Sequence, residues 1–284
     1  MKNKPIIIVA AEPDSVFLEI FFKSIKVKKY KSPLILICCK KILLKRMKQN
    51  KFKKKINILD LDKIKKYRLN NNDINLINIK CQTINNKYSK DLTNEYIKKS
   101  FDLALSLIKE KYSNKLLNGP VNKETFLNKK FLGITEYISK KCKINKSGML
   151  IYNQSLSVCP VTTHLPIKLV AKKITKNLVK EKIILVNNFY KNVIKIKPKI
   201  GVVGLNPHCE SVLKFNEDKE IISPIIKRLR NNDINVKGPF SADTIFNNKN
   251  RKFYDVIIGM YHDQVLTPLK TLFEFDAINI TMGL

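Results

Sequence analysis

The 284-residue chain is long enough for one large α/β domain or two smaller ones, and its 44% hydrophobic content excludes a disordered protein. A formal net charge of +32, from 55 Lys and Arg against 23 Asp and Glu, would suit a polyanionic partner. The basic residues are mostly Lys, however, and they are spread along the whole chain together with many Asn and Ile. This distribution favours a compositional bias, and the basic runs lack the interleaved aromatic residues that stack on bases. We therefore expect no nucleic-acid partner.

Six cysteines occur without any C-x-x-C pair, and two of them, Cys38 and Cys39, are adjacent inside an apolar run. This is not a disulfide framework, and it fits a reducing, cytoplasmic compartment. The apolar run at 6–10 is too short for a signal sequence and reads as a first strand. Because no apolar stretch approaches about 18 residues, we expect no membrane association.

Short apolar runs alternate with segments of helical periodicity, which predicts an α/β fold with a mainly parallel sheet. The predicted strands are 6–10, 33–38, 56–59, 74–79, 149–152, 156–161, 200–205, 256–259 and 276–282. The predicted helices are 15–25, 40–55, 93–110, 167–174, 175–191 and 217–230, with further helix starts after 119–123, 133–137, 238–244 and 264. Thr93 or Asp91 could cap the helix at 93–110, and Thr175 could cap the helix at 175–191.

The three histidines of the chain, His164, His208 and His262, each follow an apolar run predicted to be a strand. The carboxyl ends of parallel strands meet at one edge of a sheet, where open α/β folds place their chemistry. Three imidazoles at that edge could bind Zn²⁺ or a similar divalent ion and leave coordination positions open for a substrate. The alternative is that each histidine is a hydrogen-bonded structural residue, and the spacing alone leaves both interpretations open.

Two carboxylates and one lysine accompany the histidines in the sequence. Asp263 and Asp243 could each orient a histidine or accept a proton, or they could instead stabilise the first turn of a helix. Lys270 lies two helical turns beyond Asp263 and suits a substrate phosphate, although from the sequence alone a solvated surface position is the default for a lone lysine in this chain. The chain contains no G-x-G-x-x-G, no G-x-x-x-x-G-K-[ST] and no G-x-S-x-G motif.

Six short motifs stand out along the chain. They are GPVNK at 119–123, TTHLP at 162–166, GLNPH at 204–208, GPFSADT at 238–244, YHDQ at 261–264 and NITMGL at 279–284. Together they resemble the 4-hydroxythreonine-4-phosphate dehydrogenase family of vitamin B6 biosynthesis, and they occur in the order of that family, with the resemblance extending from about residue 5 to the end of the chain.

The resemblance implies two α/β/α domains like those of the isocitrate and isopropylmalate dehydrogenases, in an NAD-dependent homodimer whose active site lies at the subunit interface. We expect a first domain over 1–140, completed by 263–284, and a second over 141–262 that carries the metal ligands. The family's metal-binding histidines correspond to His164, His208 and His262. Zn is the expected metal, with Mg or Co as alternatives. The family's substrate-binding Thr, Lys and Asn correspond to Thr135, Lys270 and Asn279.

The sequence departs from the family pattern at three places. The His of the family's Gly-His-Thr-Glu motif is Ile134, the glycine-rich segment after the first strand is replaced at 11–15, and the sequence stops at Leu284. The family continues there through a substrate-binding Arg and a helix, so we expect a shortened chain or an altered phosphate pocket.

The resemblance implies oxidation of 4-phosphooxy-L-threonine by NAD⁺, with Asp243, Asp263 or a water as the group that takes the proton. Ile134 motivates the alternative of a related enzyme for another phosphorylated hydroxy acid of the threonate or erythronate type. The charge of +32 motivates a non-catalytic polyanion-binding protein as a further alternative.

Overall fold

The computed structural model describes residues 3–82, 89–127, 131 and 133–283. The chain divides into two compact units, Met1–Ile134 and Thr135–Leu284. The predicted mixed α/β fold is confirmed, and each unit is built on its own sheet. Within the described ranges, no helix is both long and apolar enough to cross a bilayer.

The first unit contains a parallel sheet with strand order β3-β4-β2-β1-β5 among its described residues. Its strands are β1 (Ile6–Val9), β2 (Leu34–Cys38), β3 (Ile56–Ile58), β4 (Ile74–Asn78) and β5 (Leu116–Asn118). Its helices are α1 (Phe17–Val27), α2 (Lys40–Gln49) and α3 (Lys90–Lys109). Every residue of β2 is buried, as expected for a central parallel strand covered on both faces.

Two local predictions for this unit are wrong. The N-cap of α3 is Ser89, whose hydroxyl accepts the Leu92 amide at 3.3 Å, and neither Thr93 nor Asp91 has this role. The helix predicted to open after 119–123 does not form within the described residues up to 127, where the chain makes turns instead. Asn122 stabilises these turns, because its side-chain oxygen accepts the amides of Glu124 and Thr125.

The second unit contains a mixed sheet with strand order β11-β6-β7-β10-β8-β9 among its described residues. Its strands are β6 (Gly148–Tyr152), β7 (Ser157–Pro160), β8 (Ile200–Val203), β9 (Val236–Phe240), β10 (Val256–Gly259) and β11 (Ile278–Met282). Its α-helices are α4 (Ile134–Lys141, which begins at the unit boundary), α5 (Ile167–Lys173), α6 (Lys176–Phe189), α7 (Ser223–Asn231), α8 (Ala242–Ile245), α9 (Asn248–Arg251) and α10 (His262–Phe273). Strands β7, β10, β8 and β9 run parallel, whereas β6 and β11 are antiparallel to their neighbours.

The end of the chain belongs to the second unit and not to the first. We expected 263–284 to complete the first domain, but α10 and β11 lie in the second unit, where β11 pairs with β6 from Ile278 opposite Tyr152 to Met282 opposite Gly148. This antiparallel pairing joins segments more than a hundred residues apart, so no local sequence pattern could reveal it.

Strand β10 is the centre of the second unit's core. Val256 and Ile258 pack into one hydrophobic cluster with residues of α6 and α7, while Ile257 points into the opposite cluster with Val265 and Leu269 of α10. Both faces of this strand are therefore covered by helices, which explains its uninterrupted apolar sequence. The core fixes the carboxyl end of β10, from which the chain continues into His262.

Candidate active site

The three histidines follow the carboxyl ends of three neighbouring parallel strands of the second unit. Strand β10 lies between β7 and β8 in the sheet. Strand β7 leads to His164, β8 leads to His208 and β10 leads to His262. The imidazole centroids of His164 and His262 are 5.7 Å apart. Within the described ranges, however, no group of three or more His, Cys, Asp or Glu side chains lies close enough to hold a metal ion. The structure thus brings two of the three histidines together, and their roles as metal ligands stay a prediction.

His262 is the first residue of α10, and its neighbour Asp263 holds its ring. The distance from His262 Nδ1 to Asp263 Oδ1 is 2.6 Å, and the His262 side chain is about one-third exposed. An ionised carboxylate only accepts hydrogen bonds, so Nδ1 donates and the lone pair of a neutral imidazole is on Nε2. Asp263 therefore orients the ring, the arrangement that commonly accompanies metal-binding histidines.

Asp243 is connected to His208 through one serine. Ser241 Oγ donates to Asp243 Oδ1 at 2.6 Å and lies 3.5 Å from His208 Nδ1. Ser241 directly precedes α8, and Asp243 is in its first turn, where the helix dipole favours an acid. The two carboxylates singled out in the sequence are thus next to different histidines, one directly and one through a hydroxyl.

The predicted substrate residues occupy three elements of the second unit. Thr135, in the first turn of α4, is buried, and its Oγ1 is 3.0 Å from Oγ1 of Thr281 in β11. Asn279 is exposed, and it shares a face of β11 with Thr281 because side chains alternate along a strand. Lys270 is exposed in the last turn of α10. Thr135 and Asn279 are therefore brought towards the same strand face.

Further polar residues hold the strand ends in place and were missed in the sequence. Thr162 is buried, and its Oγ1 donates to the Met260 carbonyl at 2.7 Å, which ties the segment before His164 to the end of β10. Gln264 and the buried Asp218 contact the turn that carries His208. Gln264 stands in the YHDQ motif, but its partner Gly204 is 60 positions away, so only the structure shows the link.

Burial raises the pKa of the Cys209 thiol above its usual range, and the adjacent Asp218 carboxylate adds to this effect. A thiol with a raised pKa stays protonated near neutral pH and is a poor nucleophile. Although Cys209 is next to His208, its electrostatic environment therefore does not favour a reactive thiolate. All six cysteines of the chain are free.

Solved structures share the fold described above. The chain superposes on a 4-hydroxythreonine-4-phosphate dehydrogenase from Klebsiella pneumoniae with a TM-score of 0.83 at 24% identity, covering 99% of this chain and 88% of that one. The TM-score to the enzyme of the same name from Burkholderia phymatum is 0.81 at 25% identity, with 99% and 87% of the two chains covered. The fold is that of the two-unit α/β class to which these dehydrogenases belong.

The sequence comparisons are more specific. The chain is 35% identical, over its whole length and 86% of the relative's, to the 4-hydroxythreonine-4-phosphate dehydrogenase of Wigglesworthia glossinidia brevipalpis. It is 37% identical to the one of Sulfurihydrogenibium sp. over 64% of this chain and 57% of that protein. The family model described as "Pyridoxal phosphate biosynthetic protein PdxA" matches residues 29–284. The chain belongs to this family of dehydrogenases.

Proposed function

We propose that the chain oxidises 4-phosphooxy-L-threonine with NAD⁺ to 2-amino-3-oxo-4-phosphooxybutanoate in pyridoxal phosphate biosynthesis. This β-keto acid then loses CO₂ to give 3-amino-2-oxopropyl phosphate. The observation that carries the proposal is the position of three histidines at adjacent strand ends in a chain that matches the PdxA family over 29–284. Relatives named 4-hydroxythreonine-4-phosphate dehydrogenase support the substrate and the reaction.

A divalent metal, with Zn²⁺ favoured by imidazole ligands and Mg²⁺ or Co²⁺ as alternatives, fits part of this site. His164 and His262 are neighbours, and the hydrogen bond from His262 Nδ1 to Asp263 leaves Nε2 for a metal. In the described part of one chain these two have no third ligand at hand, and we propose that His208 completes the set at a dimer interface to which both subunits contribute. When bound, a divalent ion supplies Lewis acidity that makes the substrate hydroxyl easier to deprotonate.

The chain's own residues bind the substrate and move its proton. Lys270 pairs with the phosphate, while Thr135 and Asn279 offer a hydroxyl and an amide from the side of β11. When bound, NAD⁺ would accept the hydride that the carbinol carbon loses, and Asp243, Asp263 or a water would take the proton of the hydroxyl. The products of this step are the ketone, NADH and one proton, so charge and atoms balance.

The dimer is supported by an apolar segment directly after His208. Val212, Leu213 and Phe215 are 104%, 72% and 54% exposed in the single chain. These exposed apolar residues lie close in sequence to a candidate active-site histidine. They fit an interface in which a second subunit covers them. We further propose a cytoplasmic location, which the six free thiols support.

The substrate assay compares 4-phosphooxy-L-threonine with 4-phospho-erythronate in NAD⁺ reduction, before and after EDTA treatment. We expect faster NADH formation with the threonine substrate, loss of activity in EDTA and recovery when Zn²⁺ is restored. Faster turnover of the erythronate would favour the alternative raised by Ile134. Full activity after complete metal removal would rule out the proposed metal role.

The polyanion-binding alternative receives no support from the family match. A filter-binding assay with nucleic acid at rising salt addresses it directly, because binding through phosphates weakens steeply as salt increases. We expect only weak retention at about physiological salt, and tight retention there that falls steeply as salt rises further, together with no NADH formation, would favour this alternative.

A further inference from the structure

The turn between β8 and the segment 210–217 holds two successive residues in an unusual backbone conformation. His208 has φ +54° and Cys209 has φ +60°, which is the left-handed region that non-glycine residues rarely adopt. Such conformations are unfavourable and persist only where surrounding contacts enforce them. The contacts around this turn therefore show what fixes the direction of the His208 side chain.

Asp218 holds the turn from one side. Its carboxylate is 1% exposed, and it accepts the Leu205 amide at 2.7 Å, the Asn206 amide at 3.1 Å and the Asn206 side-chain nitrogen at 3.0 Å. A buried carboxylate without enough donors would be strongly unfavourable, and here the turn supplies three of them. Asp218 also begins a one-turn π-helix, Asp218–Ile222, directly before α7, and π turns of this kind frequently occur near functional sites.

Gly204 allows this close approach. A β-carbon at position 204 would lie 2.6 Å from Asp218 Oδ1 and 2.6 Å from Cys209 Sγ. Both distances are too short for a non-bonded contact. The Gly204 amide donates to the Phe240 carbonyl at 2.9 Å, so the residue remains connected to β9. The turn and the carboxylate therefore close on each other only because this residue has no side chain.

Gln264 connects the same turn to the strand of His262. Its Nε2 donates to the Gly204 carbonyl at 2.7 Å, and its Oε1 accepts the Met260 amide at 2.7 Å. Gly204 directly follows β8, and Met260 directly follows β10. One amide side chain thus spans the ends of the two strands that lead to His208 and His262.

We infer that Asp218 and Gln264 are positioning residues, which act through the turn at 204–209 to fix the place of His208 relative to the His262 strand. The inference rests on the proposed function in that it takes both histidines as parts of one catalytic apparatus. Asp218 sets the conformation of the turn, and Gln264 sets its distance from the end of β10. Neither side chain contacts the substrate in this account.

A comparable carboxylate at the opposite edge of the sheet provides a matched control. Asp255 directly precedes β10, and its Oδ2 accepts the Lys199 amide at 2.7 Å just before β8. Asp255→Asn weakens a carboxylate–amide bond between the same two strands, but at their amino ends. If Asp218 only stabilised the fold, kcat per folded molecule would stay at the wild-type value in Asp218→Asn, as we expect for Asp255→Asn.

The test uses the full chain labelled with ¹³Cε1-histidine, which gives only three side-chain signals because the sequence contains three histidines. In Asp218→Asn the new amide points N–H groups at backbone donors, and we expect the His208 signal to shift or broaden while the His164 signal stays in place. In Gln264→Glu a carboxylate faces the Gly204 carbonyl, and we expect the signals of both His208 and His262 to move. Asp255→Asn should leave all three unchanged. An unmoved His208 signal in folded Asp218→Asn and Gln264→Glu overturns the inference.

Zn²⁺ affinity and NADH formation provide the functional part of the test. Loss of an outer-shell partner of a metal ligand typically lowers affinity or activity 10–100-fold, and we expect a decrease of about tenfold in kcat for Asp218→Asn with little change in KM. Asp255→Asn should match wild type in kcat even if its thermal midpoint falls by a similar amount. Equal losses of kcat in both variants would show a structural role only and would contradict the inference.

The histidine signals separate this inference from the proposed function. If the wild-type chain formed no NADH and bound no Zn²⁺, the proposed function would fail, yet the shifts in Asp218→Asn and Gln264→Glu would still decide whether these residues position His208. Should Asp218→Asn not fold, Gln264→Glu carries the same test, because its substituted side chain is of equal size and keeps the bond to the Met260 amide.

Discussion

At the scale of single residues, His262 and His208 each have a hydrogen-bonding partner, and the two partners lie at different distances along the chain. His262 is held by Asp263, its direct neighbour, so the sequence alone indicates the pair. His208 contacts Ser241, 33 positions away, and through it Asp243, which no local pattern can reveal. The residue types at the site could be predicted, whereas the pairing of His208 with Asp243 depends on strand order in the folded sheet.

Lys270 offers a direct test of the proposed phosphate contact. Replacement by Ala removes a charge-assisted hydrogen bond, and we expect KM for 4-phosphooxy-L-threonine to rise about tenfold or more. Lys270→Arg should recover part of this loss because the positive charge remains. The exposed Lys252, in the same unit, serves as the control, and its replacement by Ala should leave KM unchanged. A KM unaffected by Lys270→Ala in initial-rate kinetics would remove this residue from the site.

At the scale of elements, the apolar periodicity predicts the strands well and the helix ends less well. The predicted cap Thr175 is confirmed, since its hydroxyl accepts the Leu178 amide at 3.2 Å at the start of α6. For α3 the true cap, Ser89, lies before the apolar stripe begins, so the periodicity places the helix start too late. The one-turn π-helix before α7 begins at the buried Asp218, whose bond to the Leu205 amide is a tertiary contact that periodicity does not report.

The cap of α6 can be tested by changing Thr175. Thr175→Ala leaves the Leu178 amide without its partner, and we expect a loss of about 1 kcal/mol of unfolding free energy. Thr175→Ser keeps a hydroxyl and should retain most of it. The neighbouring exposed Lys176→Ala serves as the control in urea denaturation monitored by circular dichroism. Equal midpoints for Thr175→Ala and Thr175→Ser would show that the hydroxyl does not stabilise the helix.

At the scale of the whole molecule, the alternation of strands and helices is enough to predict the α/β class but not the division of the chain. The parallel order in the first unit follows from regular strand–helix repeats. In the second unit, β11 pairs antiparallel with β6 at the edge of the sheet. The end of the chain therefore belongs to the second unit, whereas we expected it to complete the first domain. Pairing across a long stretch of sequence is set by packing and not by any nearby residue.

The proposed dimer predicts that one apolar residue after His208 is needed for assembly. Leu213→Asp introduces a charge into the exposed segment that we expect a partner to cover, so the mass measured by light scattering should change from two chains to one. Phe253→Asp is the matched control, because Phe253 is also exposed, at 69%, but lies far along the chain from this segment. A Leu213→Asp variant that keeps the mass of wild type would contradict the assigned interface.

The central claim is that the three strand-end histidines hold a divalent metal needed for the reaction. It is tested most directly by metal analysis of the purified chain and of its His262→Ala variant, alongside NADH formation from 4-phosphooxy-L-threonine. We predict close to one metal ion per site in wild type, and loss of both metal and NADH formation in His262→Ala. Unchanged metal content and activity in the variant would contradict the account.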